Sequence, residues 1–481
     1  MPPVSRKKIT NLFAASSKRD LGMKLIKAVT ILSFFTLLSC AAPQYTETRL
    51  RSEISALTTI APDLSSQPKL AEELSGNFRS DLAQVVINSP KYISALSALD
   101  SSKSQIMVAK ADNKPQFALN VNAGQTIKDG SGLASSSEHG ASANIAISQL
   151  IFDGGATAAI IDQAQVKAFI AEMDTEIIAN QVAKDAAISW VELDALRRRE
   201  AQLQTLMAKT DKMISQMETL VASGMIDKSA SASAEIAARA LSLENSNLGS
   251  QIAARSADYI EFFGTVPQNL ATPSSLLKPT DVAQIQRDWS RAPILTQAAA
   301  NVLTAKQGLI AAQGRERPTV GFKSGMVSPI ERDERTTYAI GVEVAWILGD
   351  GGRRKANTDA QAANLKAAEQ KLKGAKLAAK RELDTTVSKR AALIVSLKTL
   401  SAQEEASRNE LEIMRSQLAT GQTSVRQLIQ VEEKAYRTSD QKISLESALL
   451  KIDFEMLANS GLLTKRLGIY ANKKTLRQQN D

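Results

Sequence analysis

Two stretches of this chain alternate apolar and polar side chains, and each is followed by a much longer stretch with helical spacing. Phe117, Leu119, Val121 and Ala123 fall on one face with Asn120 and Asn122 on the other; Ala141, Ala143, Ile145 and Ile147 alternate with Ser142, Asn144 and Ser148. Further on, Val320, Phe322 and Met326 stand against Thr319 and Lys323, then Tyr338, Ile340, Val342, Val344 and Trp346 against Thr337, Gly341 and Glu343. A period of two predicts strands with one apolar and one polar face. Each run is about 9 to 11 residues, the length of a tilted strand crossing a bilayer. The polar segments 125–139 and 327–336 are predicted loops, closing hairpins over 116–151 and 319–347. Two hairpins supply only four strands, and lipid tolerates no open sheet edge. If the apolar face meets lipid, other copies of the chain must complete the barrel.

Helical periods surround each hairpin. Pro90 and Pro293 open helices as first-turn residues, and Pro115 and Pro318 end them. From 156 to 223 there is neither proline nor glycine, enough for one helix of roughly 100 Å at about 1.5 Å per residue. Leu203, Leu206, Thr210, Met213, Met217 and Leu220 step by three and four, a coiled-coil seam. A second long helix is predicted over 353–420, interrupted only by Gly374. Gly224 and Gly421 are reversal points, after which return helices run over 225–263 and 422–460. The opening and return helices together match the long one, so they can stack end to end beside it.

The landmarks form one ruler used twice. Asp153-Gly154-Gly155 recurs as Asp350-Gly351-Gly352, Gly224 as Gly421 and Gly264 as Gly461, always 197 positions apart. Conserved length with divergent side chains indicates a duplication held to one physical dimension. The organisation expected is a first repeat over 77–264, a connector over 265–289, a second repeat over 290–461 and a tail over 462–481.

The N-terminus bears on location. Lys24 and Lys27 precede the apolar run 28–38, which suits a secretory signal over 1–39, with Met1 or Met23 as initiator. Leu37-Leu38-Ser39-Cys40 resembles the lipobox, in which a cysteine receives a diacylglycerol, and 40–76 would be the lipidated N-terminal segment. Cys40 is the only cysteine, which excludes an intramolecular disulfide. Past it no apolar run reaches the roughly 20 residues of a membrane helix. Aromatics are 4% of the 481 residues and the net charge of +9 is spread thinly. The clusters Arg197-Arg198-Arg199 and Arg353-Arg354-Lys355 lack interleaved aromatics, so they read as helix faces and not as nucleic-acid sites. His139, the single histidine, falls in a predicted loop, which leaves no histidine metal cluster and no conventional triad. Neither glycine-rich segment has phosphate-loop spacing. No enzyme and no cofactor is expected.

Together these residues resemble the TolC-like outer membrane efflux family. The resemblance rests on Pro115 followed by alternation, the junction Ser148-Gln149-Leu150-Ile151-Phe152-Asp153-Gly154-Gly155, its weaker copy Trp346-Ile347-Leu348-Gly349-Asp350-Gly351-Gly352, and the turn Leu418-Ala419-Thr420-Gly421-Gln422-Thr423-Ser424 followed by Leu428 and Glu432. It covers about residues 77–464. It implies an α+β membrane protein: a duplicated coiled-coil helical barrel plus four transmembrane strands per protomer, completing a 12-stranded β-barrel as a homotrimer. It further implies an outer membrane duct, lipid-anchored through Cys40 and extending into the periplasm. Its tips at Gly224, Gly421, Thr423 and Ser424 would dock a periplasmic adaptor and an inner membrane pump or ABC transporter, for efflux or type I secretion.

One departure from the family concerns the gate. Aspartates ring the closed end in well-known members, six and nine residues beyond the second tip glycine; here those positions are Gln427 and Gln430. A latching aspartate is replaced by Ala230 and its basic partner by Thr423. Without carboxylates the constriction would lose its cation-binding field; alternatively, both glutamines are simply solvated helix positions. A periplasmic adaptor or a structural coiled-coil lipoprotein would also have helices and an anchor, but an adaptor carries one hairpin where this chain has two, and a coiled-coil lipoprotein leaves the alternating strands unexplained.

Overall fold

The structure is a computed structural model that describes residues 47–58, 76–128, 136–224, 228–265, 270–273, 277, 279–329, 336–420 and 422–469. The signal segment, Cys40, Gly421 and the end of the tail lie outside them. The described chain is mostly helical with one four-stranded antiparallel sheet. It divides into two compact units that cut across the repeats: one takes 111–158 and 313–351, the other 45–110, 159–312 and 352–481.

The first unit is the sheet, in the order β1 (Gln116–Lys128), β2 (Ser136–Phe152), β3 (Thr319–Pro329), β4 (Thr337–Ala345). Two expected boundaries change. Segment 125–139 is not wholly a loop, because β1 runs on to Lys128 and β2 begins at Ser136, pairing Gln125 with His139; likewise β3 continues to Pro329. Polar side chains do not stop a ladder whose bonds are made by the backbone, so β2 reaches 17 residues instead of the expected 9 to 11. Trp346 lies just past β4 and donates from its indole nitrogen to the Glu316 carbonyl at 3.3 Å.

The second unit is built on two 67-residue helices, α4 (Ala156–Ala222) and α8 (Arg353–Ala419). Preceding them are α1 (Glu47–Thr58), α2 (Gly76–Asn88), α3 (Pro90–Ala111) and, for the second repeat, α7 (Pro293–Gly314); following them are α5 (Lys228–Phe263) and α9 (Val425–Asn459). The predicted seam is real: Leu203, Leu206, Thr210 and Met217 are buried. Leu203 and Leu206 pack with Leu241 and Leu248 of α5. The starts and ends of the shorter helices meet beside α4: Pro90, Lys91, Phe262 and Phe263 border one cavity of about 1170 Å³ together with Ile178 and Asp185.

The main core lies midway along α4. Phe78 of α2 is fully buried, edge-on to Trp190 at 5.1 Å and tilted against Phe454 at 5.7 Å. Trp190 donates to the Ala271 carbonyl at 3.0 Å, and Thr272 reaches the Asp194 carboxylate at 2.8 Å, so the connector is stitched onto α4. Burial pushes the Asp194 carboxyl up from its ordinary value, against the Thr272 hydrogen bond. The connector also contains α6 (Pro279–Arg287), which contributes Ile285 to the core. The tail starts with α10 (Leu463–Arg466), and Leu463, Leu467 and Ile469 enter the same core.

Candidate functional site

Three places carry the features that sequence singled out: one face of the sheet, the two strand-to-helix junctions and the turns at the far ends of the long helices. The sheet face is continuous. Register places Phe117, Leu119 and Val121 opposite Ile147, Ile145 and Ala143, with Met326 next to Ile145 and Tyr338 next to Met326. Phe117, Leu119, Val121, Tyr338, Ile340, Val342 and Val344 are exposed, Ile340 by 78%. The opposite face carries Asn120, Asn122, Asn144 and Ser148 on β1 and β2 and an ion pair between Lys323 and Glu343 on β3 and β4. An exposed apolar patch of this extent marks a surface with an apolar environment to meet. Among the described residues there is no fifth strand, so β1 and β4 each leave one edge unpaired.

At the junctions, Asp153 supplies the first turn of α4 with acceptors: its carboxylate takes hydrogen bonds from Gly155 N at 3.1 Å and Thr157 N at 2.6 Å. Gly154 and Gly155 have φ of 71° and 90°, and Gly351 and Gly352 have 66° and 86°, conformations that L side chains avoid. The two copies differ in surroundings. A Cβ on Gly154 would lie 2.5 Å from the Gly314 carbonyl and 2.8 Å from Arg317, whereas one on Gly351 would meet nothing within 4 Å. Arg317 also donates to the Gly154 carbonyl at 3.3 Å.

At the turns, Gly224 has φ 74° and ends α4, with its amide bonded to Val221 O at 3.0 Å. Gly421 lies outside the described residues. Ser424 is the N-cap of α9, and Gln427 completes a capping box with it. The Gln427 side-chain oxygen accepts from Ser424 N at 3.2 Å and from Thr423 Oγ1 at 2.8 Å. Gln427 is therefore engaged with its own turn, while Gln430 is exposed one turn further on.

Glu432 lies on α9 two turns beyond Ser424. Its carboxylate is buried and takes Arg415 of α8 at 2.5 Å and Lys209 of α4 at 3.4 Å, so one side chain ties three helices near the turns. A lone acid in the apolar stripe Leu428, Val431, Ala435 was the available signal. Above it, α9 is bound to α4 by Arg199 to Asp440 at 2.5 Å, Arg198 to Glu446 at 2.6 Å and Lys451 to Glu192 at 2.9 Å. Tyr436 packs beside them on the α4 and α5 leucines, and burial, with Asp440 and Glu244 nearby, pushes its hydroxyl up to about 12. Among the described residues no helix is long and apolar enough to cross a membrane, and no acid, histidine or cysteine cluster could hold a metal ion.

The arrangement of duplicated helical pairs with two hairpins joined in one sheet has counterparts among known proteins. Residues 285–456 match the family model described as outer membrane efflux protein. That part of the chain is similar to the outer membrane efflux protein domain. Solved channels share its fold: VceC, an outer membrane protein of Vibrio cholerae, has a TM-score of 0.72 at 16% identity over 80% of this chain and 96% of that one. The CmeC outer membrane channel of Campylobacter jejuni gives 0.70 at 12% identity, covering 90% of this chain and 96% of CmeC. The open state of the MtrE channel of Neisseria gonorrhoeae gives 0.68 at 14%, covering 84% and 98%. Among curated protein sequences none matches.

Proposed function

We propose that this protein is one protomer of a homotrimeric outer membrane channel that forms the exit duct of a tripartite efflux or type I secretion system. The observation that carries the proposal is the sheet: a continuous apolar face, a polar face behind it and two unpaired edges. An open edge in hydrocarbon leaves backbone groups unsatisfied at several kcal/mol each, which closure of four-stranded sheets from three copies would remove. Cys40 would then carry the lipid, and the turns at Gly224, Gly421, Thr423 and Ser424 would meet the adaptor and the pump or ABC transporter. Gln427 and Gln430 would line the narrow end as neutral groups. Reconstitution in planar bilayers tests this: stepwise ion conductance is expected, with weak block by multivalent cations because the constriction lacks carboxylates. A pure trimer that inserts and passes no ions would overturn the channel; strong cation block would overturn the neutral constriction.

A further inference from the structure

The duplication leaves two cavities at corresponding joints, and their walls differ in chemistry. Each joint is where a helix opened by a proline meets the end of a return helix beside a long one. In the second repeat it leaves about 470 Å³, bordered by Pro293, Ala378, Glu382, Met456, Asn459 and Ser460. The same positions in the first repeat are Pro90, Gln181, Asp185, Tyr259, Phe262 and Phe263, and the cavity there is about 1170 Å³. The duplicated joint therefore holds without these three rings, and the architecture alone does not require them. Asp81 and Glu261 add carboxylates at the exposed rim of the larger cavity, where Lys91 is the one ammonium among the described residues. The smaller cavity has one ring, Trp289, and a balanced Arg381 and Glu382.

The aromatic wall is fixed from behind. Tyr259 and Phe263 stack at 4.3 Å with planes 19° apart, and Phe263 stands edge-on to Trp190 of the main core at 5.4 Å. Phe262 is partly buried against the same core. Burial, followed by the Asp81 charge and opposed by Arg197, pushes the Tyr259 hydroxyl up to about 12, so this ring is neutral at ordinary pH and lies in the field of a carboxylate. Asp185 is held by the Gln181 amide at 2.9 Å and has Lys184 at 3.6 Å. Asp81 and Glu261 are left as the lining carboxylates that face no cation at salt-bridge distance among the described residues. Aromatic faces attract cations, and a mostly apolar cavity with a few placed charges is the usual form of a small-molecule site. We propose that this cavity binds an amphiphilic organic cation, with its charge against Asp81 and Glu261 and its apolar groups on Tyr259, Phe262 and Phe263. The site is built from one chain and does not depend on the homotrimer proposed above.

The test uses the full chain in a nonionic detergent and two ions of one shape and opposite charge, tetraphenylphosphonium and tetraphenylborate, by equilibrium dialysis against micelles alone. Saturable uptake of about one tetraphenylphosphonium per chain is expected, with tetraphenylborate held roughly tenfold more weakly or not at all. Asp81→Asn combined with Glu261→Gln is expected to weaken the cation roughly tenfold. Phe262→Leu keeps apolar bulk and removes the ring, and is expected to weaken it about threefold. Circular dichroism checks that helicity is unchanged in both. Glu382→Gln, in the smaller cavity, is expected to leave binding as it is. Uptake no greater than that of micelles, equal retention of the two ions by the unmodified chain, or a loss that follows Glu382→Gln instead of the rim carboxylates overturns the site. Bilayer conductance is read separately, so each of these outcomes leaves the channel proposal standing, and a chain that binds the cation but passes no ions overturns only the channel.

Discussion

Helices α4 and α8 have the same length and the same place in their repeats, but they have different neighbours. Down its length α4 buries Val166, Ala183, Trp190, Leu193 and Leu203 among helices from both repeats. On α8, Leu377, Ile394, Val395 and Ile413 remain exposed. Duplication explains equal length but not unequal burial, which the proposed homotrimer would account for. The second repeat closes one side of the first, and nothing within the described chain closes the other side of the second. The exposed face of α8 thus has the same standing as the open sheet edges: in the proposed homotrimer each would be half of a contact whose other half a second copy supplies.

The largest expected break in this comparison comes from a buried charge that only the second repeat carries. Arg390 of α8 donates to Asp453 at 2.6 Å and to the Leu277 carbonyl at 3.0 Å, with side-chain exposures of 9% and 0% for the ion pair. The ruler places Leu193 and Ser256 at these positions in the first repeat. Arg390→Ala takes the guanidinium away from a fully buried carboxylate, so a loss of roughly 3–5 kcal/mol is expected in denaturant unfolding. Adding Asp453→Ser is expected to recover most of it. A double variant as unstable as the single one would show that the cost is lost packing and not a buried charge without its guanidinium.

A smaller effect sharpens the comparison at the junctions. Gly154→Ala and Gly351→Ala both force an L residue to positive φ, at about 1–2 kcal/mol. Only Gly154→Ala also drives a methyl into the Gly314 carbonyl and Arg317. In a separated protomer Gly154→Ala should therefore lower the melting temperature further. On assembly the gap should narrow if, in the proposed homotrimer, Ala111 and Lys114 of the next copy, which precede Gly314 and Arg317 by the same 203 positions that separate Pro90 from Pro293, stand to Gly351 as Gly314 and Arg317 stand to Gly154. A gap that is the same in both states would mean that nothing comes to cover Gly351.

Much of this fold could be read from sequence because its signals are long and periodic. Alternation over β1 to β4 fixed which side chains share a face, and the spacing of Leu203, Leu206, Thr210 and Met217 identified positions that are in fact buried. Helix α2 was not legible: its apolar positions Phe78, Leu82 and Val86 cover little more than two turns, and their partners Trp190 and Phe454 are distant in sequence. The ends of β1 and β2 were missed because polar residues pair through the backbone as readily as apolar ones. At the turn, Ser424 and Gln427 have capping-box spacing, but a residue at the family's gate position suggests a bore-lining role until its rotamer is known. Cys40 and Gly421 lie outside the described residues and rest on sequence alone.

The smallest expected effect separates the repeats by pH. Lys442 of α9 donates to Glu404 of α8 at 2.7 Å, and this hydrogen bond, opposed by burial and aided by the Lys442 charge, Ser439 and Arg408, holds the Glu404 carboxyl below its ordinary range. The ruler puts Met207 and Asn245 at these positions in the first repeat, and Met207 packs on the leucines of α4 and α5. A carboxyl with a depressed folded value stabilises above its unfolded value of about 4.3, and that stability is lost as pH falls through the folded value. With side chains 22% and 29% exposed, solvent screening limits the contribution to about 1 kcal/mol or less. Hydrogen exchange, corrected for intrinsic rates, is expected to show amides around 404 and 442 losing protection as pH falls from about 5 to about 3, through and below the unfolded value, while those around 207 and 245 keep theirs. Glu404→Gln should abolish much of that difference by loosening the second repeat already at pH 7. Equal acid sensitivity in both repeats would assign the effect to carboxylates common to the whole bundle and not to this tie.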